Sequence, residues 1–137
     1  MMSMKKVIKV VIVAILLATI LYGGKYLLDV KAYKAEMSEM TIDSVDFASL
    51  EDGVYQGSFD ASLVSATVSV KVHSGNITEI NLLEHKFERG KPAEAILDTV
   101  IHEQSLDVDT VTGATNSSKT ILKAMENALK QPPRETE

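Results

Sequence analysis

Between Asp109 and Lys119 the chain reads Asp-Thr-Val-Thr-Gly-Ala-Thr-Asn-Ser-Ser-Lys, a run of small and hydroxylated residues that leads into a helical pattern. At a helix N-terminus, N–H groups without intrahelical partners and the positive end of the helix dipole attract an anion such as phosphate. Gly113 and Ala114 let the main chain approach a ligand closely, and Lys119 adds positive charge in the first turn. The alternative is an elaborate cap, in which the serine and threonine hydroxyls serve only the backbone. The spacing of Gly113 and Lys119 does not match a P-loop.

Other chemistries find little support. The chain has no cysteine, which removes disulfides, thiolate metal sites and iron–sulfur clusters. His73, His85 and His102 lack ligand spacing, so no metal site is expected, and no Ser–His–Asp arrangement can be defended. The net charge of −5 is unevenly spread: all 19 acidic residues lie at or after Asp29, whereas Lys5, Lys6, Lys9 and Lys25 precede it. The part after residue 28 should therefore repel nucleic acid and anionic lipid, and no nucleic-acid partner is expected.

The elements that position the 109–119 run follow from periodicity. Residues 54–59 read as a first strand. Residues 63–73 alternate, with Val64, Ala66, Val68, Val70 and Val72 on one face and Ser65, Thr67, Ser69, Lys71 and His73 on the other. Ser74-Gly75-Asn76 signals a turn into a returning strand over 77–83. A helix opens near Pro92 and buries Ala93, Ile96, Leu97, Val100 and Ile101. Residues 105–112 read as a short strand entering a loop. A last helix spans about 118–130, capped by Ser117 or Ser118, with Ile121, Leu122, Met125, Ala128 and Leu129 inward and Pro132-Pro133 ending it. The expected fold class is α+β: a small antiparallel sheet with two packed helices, preceded by one N-terminal transmembrane helix.

Residues 7–28 are mostly apolar, and the stretch from Val10 to Gly24 is uninterrupted. A span needs roughly 20 apolar residues, a length reached when Lys9 and Lys25 snorkel to the two interfaces. Tyr22 and Tyr26 suit an interfacial belt, and Lys5, Lys6 and Lys9 place the N-terminus in the cytoplasm. A cleaved signal peptide and a buried core helix are the competing readings. Residues 1–28 are thus an anchor that meets membrane lipid through 7–28. Residues 29–51 form a stalk and linker whose Val30, Tyr33, Met37 and Met40 share a stripe, 52–131 the domain, and 132–137 a disordered tail.

Asp109-Thr110-Val111-Thr112-Gly113-Ala114-Thr115 resembles the flavinylation motif of the FMN-binding domain family: Asp, two variable residues, Ser or Thr, Gly, Ala, and a final Thr or Ser before a helix. The resemblance runs over about 52–130, opening at Asp52-Gly53-Val54-Tyr55-Gln56-Gly57 and including Thr115-Asn116-Ser117-Ser118-Lys119. The family includes flavin subunits of sodium-pumping NADH:quinone oxidoreductases and of ferredoxin-coupled complexes, and many small exported domains. It implies that Thr115 accepts FMN as a phosphoester from a flavin transferase, which uses FAD and magnesium. Asp109, Thr112, Gly113 and Ala114 would then shape the loop, and Asn116, Ser117, Ser118 and Lys119 would surround the phosphate. In the segment 85–91, Lys86 or Arg89 would stabilise a reduced ring and Phe87 would stack on it, unless the segment is simply a solvated charged loop. The implied function is an extracytoplasmic electron carrier with membrane or envelope redox partners. The rivals are a sensor or binding module holding FMN or another anion non-covalently, and a structural subunit that assembles through the Val30 stripe.

Overall fold

A computed structural model describes residues 1–61, 63–86 and 91–134. The chain divides into two compact units, Met1–Ala35 and Glu36–Glu137. The first consists of most of a single helix, α1 (Met4–Glu39). Its 18-residue apolar window has a mean hydropathy of 2.4 with none of it buried, so it is long and apolar enough to cross a membrane. Val10, Leu16 and Ile20 of this helix are exposed, an arrangement that water penalises and lipid favours.

The second unit is an α+β domain. Strands β1 (Gly53–Asp60), β2 (Ser65–His73) and β3 (Asn76–Lys86) form an antiparallel sheet in sequence order. The alternation in β2 is realised: Ala66, Val68, Val70 and Val72 are buried, while Lys71 and His73 are exposed. β3 does not alternate in the same way, because two irregularities interrupt its pairing with β2. Val72 faces Ile77 while Lys71 faces Glu79, so Thr78 is extra and both Ile77 and Ile80 reach the core. Leu83 is the extra residue at the second irregularity, and it is 55% exposed.

Two helices cover the apolar face. A 3-10 segment Lys91–Ala95 holds Pro92 and leads into α2 (Ile96–Glu103), which buries Ile96 and Val100. α3 (Thr115–Leu129) lays Ile121, Leu122, Met125, Ala128 and Leu129 on the sheet, as its period requires. Gly57 makes the closest approach: a Cβ there would stand 2.3 Å from the Ala128 nitrogen.

Four readings of the sequence are corrected. No strand forms over 105–112; Leu106 is buried and Val108 and Val111 pack on the core from irregular backbone. The Gln104 amide occupies the neighbouring sheet edge, accepting from Ile77 N at 2.7 Å and donating to Ile77 O at 2.8 Å. α3 begins at Thr115, before the expected Ser118, and Ala114 rather than a serine stands at its N-cap. The segment before β1 carries no readable period, yet Phe47 is buried and Ile42, Val45 and Leu50 pack on the core. Arg134, read as tail, donates its N–H to Val54 O at 2.7 Å.

Candidate functional site

The 109–119 run folds as a tight loop fastened to the helix it precedes. Ala114 N donates to Val111 O at 2.9 Å, closing a turn in which Gly113 takes φ 80, a conformation that favours glycine. Ser118, fully buried, holds this turn from inside the helix. Its hydroxyl donates to Ala114 O at 2.8 Å and accepts from Val111 N at 3.0 Å. A single side chain thus ties the two ends of the turn, which is why Ser118 is not a cap. Thr120 likewise donates to Asn116 O at 2.8 Å.

This lock divides the run. Asp109, Thr112, Gly113, Thr115 and Asn116 are exposed, whereas Ala114, Ser117 and Ser118 are buried. A Cβ at Gly113 would meet nothing within 4 Å, so open space lies beside the turn. Thr115 is the first residue of α3, and the N–H groups of the first turn have no carbonyl four residues back within the helix. The exposed hydroxyl therefore stands at the positive end of the helix. Lys119 does not reach this tip. Its ammonium donates to Met37 O at 3.2 Å, serving a carbonyl in the last turn of α1.

One polar cluster escaped the sequence reading. Glu126, 1% exposed, accepts from Lys123 Nζ at 3.0 Å, from Lys130 Nζ and from Asp43 N at 3.3 Å. Burial pushes the Glu126 carboxyl up, but the hydrogen bonds from Lys130, Lys123 and the Asp43 backbone outweigh it and hold the group below its ordinary value. The hydrogen bond from Lys130 also lowers Asp43. The i−3 and i+4 spacing of the two lysines around Glu126 was the available signal. Of the segment 85–91, the His85 ring is 2% exposed with Nδ1 3.3 Å from Glu94 Oε1, while Phe87 and Arg89 lie outside the described residues.

Residues 64–130 match the model of the FMN-binding domain family. The chain is also 30% identical over 88 residues to an uncharacterized protein of Treponema pallidum (strain Nichols), covering 62% of this chain and 24% of that protein. The chain therefore spans about a quarter of the length of this relative. No solved structure matches. A motif ending at an exposed threonine, on a helix packed over an antiparallel sheet, lies within residues 64–130, the segment that is similar to the FMN-binding domain family.

Proposed function

We propose that the protein is a membrane-tethered flavoprotein that carries FMN as a phosphoester on Thr115 and relays electrons outside the cytoplasm. The observation behind this reading is the exposure of Thr115 at the tip of α3, within the segment similar to the FMN-binding domain family. The residues fit the group: the hydroxyl is accessible, the space beside Gly113 is open, and the helix end favours an anion. Thr112, Gly113 and Asn116 line the exposed tip, and Ser118 keeps it in shape. Asp109 orients the loop or guides the transferase. Lys119, on the same helix, donates to Met37 O.

Attachment by a flavin transferase balances simply. A bond forms between Thr115 Oγ1 and the FMN phosphorus, the pyrophosphate bond of FAD breaks, AMP leaves, and the hydroxyl proton goes to solvent. A domain facing the exterior would lose a dissociable cofactor to dilution, whereas a covalent one stays. The flavin, once bound, supplies reversible electron transfer, which the protein tunes by its surroundings. Lys5, Lys6 and Lys9 before the apolar helix favour a cytoplasmic N-terminus and an exterior domain. Donor and acceptor are membrane or envelope redox proteins.

The test is the intact mass of the full chain co-produced with a flavin transferase. Wild type should gain the mass of one FMN, Thr115→Ala none, and the bound flavin should cycle with dithionite and a mild mediator. No added mass in either protein would leave a non-covalent binding or sensor module. Attached FMN that cannot be cycled would remove electron carriage.

A further inference from the structure

Thr115, Lys119 and Lys123 succeed one another at four-residue intervals and so share one face of α3. Eight residues of helix separate Thr115 from Lys123, about 12 Å at the α-helical rise. Helical side chains lean toward the N-terminus, so the stem of Lys123 covers surface nearer to Thr115 than its own Cα. At that place lies a cavity of about 340 Å³ lined by Glu36, Glu39, Met40, Thr41, Phe59 and Lys123. Its volume falls within the range of small-molecule sites.

We propose that the ring of the FMN attached at Thr115 folds back along this face of α3 and seats in the cavity between Phe59 and Met40. The inference rests on the Thr115 attachment proposed above. Phe59 and Met40 offer an aromatic face and a polarizable thioether, the two kinds of apolar wall that suit a flat conjugated ring. The floor is firmly held. Lys119 bonds Met37 O and Lys123 bonds Thr41 O at 3.2 Å each, so the segment carrying Met40 is tied to α3 on both sides. Phe59 packs against the core and is only half-buried, which leaves part of its ring to face a ligand.

Another cavity among the described residues, of about 460 Å³, is less suitable despite its size. Its lining is mostly polar, with Gln56, Ser58, Asn127, Lys130 and Arg134, and it holds no aromatic side chain. Asn127 lies twelve residues along α3, about 18 Å from Thr115. The seat at Phe59 also carries a redox consequence. Glu36 and Glu39 place two carboxylates at its rim, while the ammonium of Lys123 is already bonded to Thr41 and Glu126. Such a rim opposes negative charge on a reduced ring and lowers its potential.

The test uses the full flavinylated chain in detergent and a Phe59→Tyr variant. Tyrosine keeps the size of the side chain and quenches an excited flavin by electron transfer at contact. Each protein is first weighed to establish one FMN on Thr115, and the flavin fluorescence lifetime is then recorded. A lifetime shortened at least several-fold in Phe59→Tyr, and unchanged in an Asn81→Tyr control on β3, is the expected result. FMN mass present with an unchanged Phe59→Tyr lifetime overturns the seat alone. No FMN mass in the wild type overturns the Thr115 reading and the seat with it. Protection of the wild-type ring from iodide, lost in Phe59→Ala, is a second readout that does not depend on the added phenol; equal iodide quenching of the wild-type chain and free FMN overturns the seat.

Discussion

Ser118 joins the loop to its helix through one hydroxyl that donates to Ala114 O and accepts from Val111 N. The bond to Ala114 O is buried and the one from Val111 N is part-buried, so Ser118→Ala leaves Val111 N without its acceptor and should cost about 1–3 kcal/mol. The midpoint of urea denaturation should fall accordingly, and FMN incorporation by the transferase should slow because the tip no longer holds one shape. Equal stability and equal incorporation would show that the turn is held by other contacts. At Thr115 the chemistry needs a hydroxyl and the helix needs nothing more. Thr115→Ala should therefore leave the denaturation midpoint nearly unchanged while abolishing FMN mass, and Thr115→Ser should restore some of that mass.

At the scale of elements, the contact between β1 and α3 depends on the absence of a side chain. The Cβ of a Gly57→Ala variant would lie 2.3 Å from Ala128 N and 2.8 Å from Ala124 O, both backbone atoms that cannot swing aside. Overpacking of this kind costs about 1–3 kcal/mol, and a lowered melting temperature should report it. Elsewhere on α3, Glu126 accepts directly from Asp43 N as well as from Lys123 and Lys130, and Lys130 also reaches the Asp43 carboxylate. A carboxylate held below its unfolded value of 4.5 contributes stability that is complete above that pH and lost as the pH falls through the folded-state value. The melting temperature should hence be flat near neutrality and drop below about pH 4.5. Glu126→Gln should lower it at neutral pH and make it less sensitive to acid. An acid profile identical to wild type would assign the acid loss to other carboxylates.

Over the whole molecule, the two compact units ask for different surroundings. The domain of Glu36–Glu137 has its own core, from Phe47 to Leu129. A chain beginning at Glu36 should be monodisperse without detergent and still accept FMN, while the full chain should partition with membranes and resist carbonate extraction. A full chain released by carbonate would argue against the span. The helix was legible because length and apolarity, the properties that suit a membrane span, are written along the chain.

Local order explains the rest of what could be read. The alternation of residues 64–73, the helical period of Ile121, Leu122, Met125 and Leu129, and the motif ending at Thr115 each depend on neighbours a few positions away. They determined the sheet, the last helix and the cofactor class. The three-dimensional structure alone decided which polar groups meet. Lys119, read as a neighbour of the phosphate, also meets Met37 O, a partner 82 residues away. Gln104 fills a sheet edge 27 residues back at Ile77, so 105–112 stays out of the sheet. Phe47 entered the core from a segment without a period, and Ser118 turned inward where a cap was expected. Each outcome satisfies a buried donor, acceptor or apolar surface with a group distant in sequence, and such pairings leave no periodic trace along the chain.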